Sequence, residues 1–113
     1  MPRQPGTVTI AQGASASSAF KIPPGQVVVG FQVAATFDTT TTLTLTGNAD
    51  NSDTFVPVKN SAGTAYTITV ADDTAGYYYI DPVVTFGLMA IKLTSDTTMG
   101  AAETIKVVTV EGI

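Results

Sequence analysis

Gln26-Val27-Val28-Val29-Gly30-Phe31-Gln32-Val33-Ala34-Ala35-Thr36-Phe37 is the stretch that decides the fold class. Val27, Val29, Phe31, Val33, Ala35 and Phe37 alternate with Val28, Gly30, Gln32, Ala34 and Thr36. A period of two is the signature of a β-strand, because successive side chains point to opposite faces. Val29, Phe31 and Val33 are therefore expected to face the core. At ~3.3 Å per residue the whole stretch would run to about 40 Å.

The pattern repeats outward from this strand. Thr7–Ala11 sets Val8 with Ile10, and Ala19–Ile22 sets Phe20 with Ile22. Thr42–Thr46 places Leu43 and Leu45 on one side and threonines on the other. Thr54–Val58 contains Pro57, which cannot donate to a ladder and is expected at an edge or bulge. Tyr66–Val70 aligns Tyr66, Ile68 and Val70, and Leu88–Thr94 aligns Met89, Ile91 and Leu93. Tyr77–Ile80 is apolar on both faces. Thr104–Val110 has conflicting phase, with Ile105 and Val107 on one face and Val108 and Val110 on the other; a bulge would reconcile them. The links are rich in turn formers, such as Pro23-Pro24-Gly25, Asn60-Ser61-Ala62-Gly63 and Ala71-Asp72-Asp73. Strands every 8–12 residues with no helical period predict an all-β fold, an antiparallel two-sheet β-sandwich of jelly-roll type with about eight strands. Residues 1–6, with two prolines and a glycine, are expected to form an extended arm before one domain over 7–113.

Composition narrows the chemistry. The chain has 113 residues, the size of one domain, and lacks Cys, His and Trp. Thiolate nucleophiles, disulfides and the commonest general base and zinc ligand are thereby excluded. No catalytic, cofactor or metal residue is assigned, and the chain is expected not to be an enzyme. Without His or Cys, catalysis would rest on carboxylate, Lys, Tyr, Ser or Thr groups; Asp38, Asp81 and Glu103 are candidates for a carboxylate pair only because they are present, and a domain this small has little room for a deep cleft. Asn48, Asp50, Asn51, Ser52 and Asp53 cluster in one loop, yet match no EF-hand spacing; they and Asp72-Asp73 are read as turns. The net charge is −4, and Arg3, Lys21, Lys59, Lys92 and Lys106 are scattered singly. Nucleic acid and anionic membranes are therefore not expected as partners. No leader-like apolar stretch opens the sequence, which leads to the expectation of synthesis in a cytoplasm.

Two features suggest contact with a partner. Tyr77-Tyr78-Tyr79 puts Tyr77 and Tyr79 on one strand face, either exposed for stacking or lying against neighbouring structure while Tyr78 and Ile80 fill the core. Arg3, Gln4 and Pro5 lie in the expected arm, which can order on a neighbour. These five residues are the candidate contact set.

The segments "IPPGQVVVGFQV", "TLTLTGNADNSDTFVPVKNSAGTAYTITV" and "YYYIDPVVTFGLMAIKLTS" resemble, in that order, small virion proteins of tailed bacteriophages. They also resemble a discoidin-type jelly roll in which "TF-PV" takes the place of a "W--V" strand. The resemblance covers about residues 20–110 and rests on core and turn positions, so no functional residue carries over. It implies a capsid decoration (cement) protein on the outer capsid surface of the virion, bound to the major capsid protein and often trimeric. A neck, tail or fibre component and a carbohydrate-binding module are the alternatives. The lack of Trp and His departs from the sugar-binding relatives.

Overall fold

The computed structural model describes residues 3–37, 40–50, 54–85 and 87–111. Among these residues nine strands form, each overlapping a segment expected to be a strand: β1 (Arg3–Ile10), β2 (Phe20–Lys21), β3 (Gln26–Val33), β4 (Thr41–Asn48), β5 (Val56–Pro57), β6 (Thr67–Val70), β7 (Gly76–Tyr79), β8 (Ala90–Ser95) and β9 (Glu103–Glu111). A 3-10 turn, Pro82–Thr85, lies between β7 and β8. One sheet has the order β1-β9-β3-β7. The other has the order β2-β8-β4-β5, with β6 also paired to β4.

Every ladder is antiparallel, and the pairing is nested. The first strand pairs with the last, β2 with β8, and β3 with β7. At the centre, β4 pairs with both β5 and β6, which share one of its edges. Leu45 manages the split: its amide donates to the Tyr66 carbonyl, its carbonyl accepts from the Val58 amide, and the Tyr66 amide donates to the Val58 carbonyl. Counting β5 and β6 as one interrupted strand gives the eight-strand, double-sheet jelly roll.

Between the sheets lies one apolar core. Phe31 and Val33 from β3, Leu43 and Leu45 from β4, Val70 from β6, Ile91 and Leu93 from β8, and Ile105 and Val107 from β9 are all buried in it. Ile68 is partly buried against the same cluster.

Four expectations need correction. Val29 is half-buried rather than core, because the β3–β9 register shifts between Val28 and Gly30 and leaves Val29 as the extra residue. The bulge thus sits in β3, not in the last strand. Before it, Val28 takes the inward position and is fully buried. Strand β3 ends at Val33, although Phe37 still tucks into the core beyond it. Met89 precedes β8 and is exposed, while Leu88 packs against the core instead. Finally, residues 3–6 are not a free arm: Arg3, Gln4, Pro5 and Gly6 pair with Val110, Thr109, Val108 and Val107. Pro5 is tolerated because β1 is an edge strand, where one missing donor need not break a ladder on both sides.

Candidate interaction face

In an antiparallel sheet, residues in register share a face, so the ladders lay out the two outer surfaces row by row. On the four-stranded sheet Pro5, Val108, Gly30 and Tyr79 form one row. Thr7, Lys106, Gln32 and Tyr77 form the next. Four of the five candidate contact residues thus fall on these rows or one beyond them: Pro5 and Tyr79 end the same row, Tyr77 ends its neighbour, and Arg3 stands opposite Val110. Gln4 pairs with Thr109 and is out of phase with them. The two groups sit at opposite edges, three strand spacings or about 14 Å apart. Arg3, Gln4 and Pro5 are placed by backbone register alone.

Tyr79 is 72% exposed and Tyr77 51%, while Tyr78 and Ile80 pack against the core. Gly30 explains the difference between the two exposed rings. A β-carbon there would overlap the Tyr77 phenol, so the ring lies across the bare backbone of the neighbouring strand. Tyr79 has no such seat. Val108 and Val110 are half-buried on the same face. The sequence reading missed them as surface residues. The phase conflict at Val107-Val108 was the signal, since an unbroken β9 must turn two of its valines outward.

The opposite face is different in kind. Thr67, Thr44 and Thr94 stand in one row and Thr69 and Thr42 in the next, with Thr46 beside Lys92 beyond. Lys92 holds its ammonium 4.6 Å from the centre of the Phe55 ring. The first face therefore sets Tyr77, Tyr79, Val108 and Val110 beside the exposed polar groups of Thr7, Thr104, Gln32 and Lys106, whereas the other carries mostly threonines.

The carboxylates are dispersed. Among the described residues no three of them come together. Asp73 adopts φ 51° and donates its amide to the Phe37 carbonyl at 2.8 Å, a left-handed turn position that Asp tolerates well. Asp81 is exposed, and its backbone carbonyl accepts the Val84 amide at the 3-10 turn. Glu103 is buried and accepts a 2.5 Å hydrogen bond from the Thr36 hydroxyl. Asp50 is exposed and Asn48 buried at the end of β4, whereas Asp38, Asn51, Ser52 and Asp53 lie outside the described residues.

Two recesses flank the aromatic face. One of about 460 Å³ opens between β6 and β7, lined by Tyr66–Thr69 and Tyr77–Asp81. The other, about 400 Å³, is apolar and lined by Ile22, Pro23, Val27, Leu88 and Met89 among others. Neither brings a carboxylate pair together.

No protein-family model, curated protein or solved structure matches the chain.

Proposed function

We propose that the chain is a non-enzymatic structural protein of a tailed-phage particle, a decoration protein that docks on the outer shell and adds contacts between major capsid subunits. The observation that carries the proposal is the chemical difference between the two sheet faces. Tyr77, Tyr79, Val108 and Val110 give one face an aromatic and aliphatic centre bordered by the polar groups of Thr7, Gln32 and Lys106, the make-up of a protein footprint, whereas the other face presents threonine rows without such a centre. The phage-like segment order adds to it. Each docked copy needs to bury only ~1,000–2,000 Å² to be specific. Many repeated sites bind only the assembled lattice, so mass action favours the lattice over its parts. On this reading the protein is made in the host cytoplasm, ends on the outer capsid surface, acts as a homo-oligomer and has no nucleic-acid or membrane partner.

The test adds purified protein to particles that lack it. Binding in many copies on the outside, with shells that then rupture at a higher temperature, is the expected result. Localisation to the neck, tail or a fibre, or depleted shells as robust as complete ones, overturns the decoration role.

The exposed tyrosine pair favours one other reading. Tyr77 and Tyr79, about 7 Å apart along the strand, could stack on sugar rings and make the domain a carbohydrate-binding module. Glycan binding that is lost in Tyr79→Ala, without any affinity for shells, would decide for it.

A further inference from the structure

Sheet edges are where a β-protein either blocks or accepts further strands. Three of the edge strands carry a block. Strand β1 contains Pro5, β5 contains Pro57, and β2 is two residues long and ends in Lys21. The side formed by β6 and β7 has no proline and no charge within either strand. The backbone parity of β7 follows from one bond. The Ile80 amide donates to the Val29 carbonyl at 3.0 Å, so Ile80 and Tyr78 point their polar backbone groups at β3. The amides and carbonyls of Tyr77 and Tyr79 then face away from the sheet, and among the described residues no hydrogen bond reaches them.

We propose that β7 pairs antiparallel with β7 of a second copy about a two-fold axis through Tyr78, joining the two four-stranded sheets into one of eight strands. In that register Tyr77 stands opposite Tyr79 of the second copy and Tyr79 opposite its Tyr77. All four outward-facing residues exchange ladder hydrogen bonds, and on the outer face each exposed ring meets another. A two-fold contact needs only this one surface. A ring of three needs β7 to meet a different surface, and β1, the other edge of the same sheet, is interrupted by Pro5, which has no amide to donate. The four rings, half to three-quarters exposed, contribute roughly 400–600 Å² across the pair, below the ~1,200 Å² where stable interfaces begin. The contact is therefore weak and reversible. Extending the register brings Asp81 level with Ala75 of the second copy, close to its Asp72 and Asp73. Like charges meet at both ends of the pair, so added salt strengthens it by screening them, opposite to the behaviour of a charge-steered partner.

The experiment uses the isolated protein and does not depend on the shell reading. Sedimentation equilibrium is run from about 10 µM to about 1 mM, the range that a contact below the stable size class demands. The mass should rise from 11.6 kDa toward two copies, more so in 0.5 M than in 0.01 M salt, and the Tyr77 and Tyr79 amides should exchange more slowly as concentration rises. Tyr79→Pro removes one outward amide while leaving the β3 ladder intact, and should hold the protein monomeric with an unchanged unfolding midpoint. Tyr79→Phe should still dimerise. A mass that stays at one copy, that settles at three, or that rises equally in Tyr79→Pro overturns the proposal.

Discussion

Phe31 and Gly30 are adjacent residues with opposite duties. Phe31 points inward and is fully buried at the centre of the core, so truncation leaves a cavity that rigid sheets on both sides cannot close. Phe31→Ala should cost about 3–5 kcal/mol in denaturant unfolding. Gly30 points outward, where the Tyr77 ring needs the space a side chain would fill. Gly30→Val should destabilise by about 1–3 kcal/mol through overpacking, and the loss should largely vanish in a Tyr77→Ala background. A double-mutant cycle measures this directly. Additive losses would mean that the strand resists the valine for reasons unconnected with the ring.

Each strand poses the question of which face is which, and the answer was legible only where the two faces differ in residue type. Strands β4 and β8 read correctly because Leu43, Leu45, Ile91 and Leu93 alternate with Thr and Lys. Strand β3 misled at its start because Val27, Val28 and Val29 are identical, and three valines in a row carry no phase. The bulge at Val29 is decided by the partner strand, which a single-strand pattern cannot contain. In β9 the opposite occurred: an apolar outer face imitated a phase error. The aromatic half of the candidate site was visible because three consecutive tyrosines stand out. Its valine half was not, because outward valines look like core until the pairing is known. The arm reading failed on similar grounds, since prolines mark a chain that avoids central strands but say nothing against an edge. Its correction changes an expected outcome. Deleting residues 2–6 removes half of β1 and uncovers Phe20, whose ring fills the space above Gly6. With about two to four ladder hydrogen bonds lost at ~1 kcal/mol each, thermal or denaturant unfolding should show a loss of roughly 2–4 kcal/mol. An unchanged midpoint would restore the arm.

For the molecule as a whole, the nested pairing makes nearly every ladder a long-range one. Strands β1 and β9 lie about a hundred residues apart in the chain and side by side in the sheet. The loop-closure entropy must be met before those contacts form, so refolding should take milliseconds to seconds rather than microseconds, as stopped-flow fluorescence of the tyrosines would record. The same adjacency makes a permutant feasible. Joining the two ends with a short linker and opening the chain at Ala62-Gly63, an exposed turn, should give a folded protein whose β1–β9 hairpin is local and which refolds faster. A permutant that fails to fold would show that the hairpin across Ala62-Gly63 organises the rest.

Strand β1 begins beside the end of β9, with Arg3 opposite Val110, and the two run antiparallel. Their hydrogen bonds lie across the strands, so a force that draws the first and last residues apart loads those bonds one at a time, as in opening a zip. Tension applied along that direction would peel β1 from the sheet at low load. A load spread over the face of the sheet would be shared by four strands at once. A domain built this way withstands strain that arrives broadside through its surfaces and yields to strain that arrives through its tips. On the proposed decoration role, the expected grip is across the sheet face and not along the β1–β9 edge.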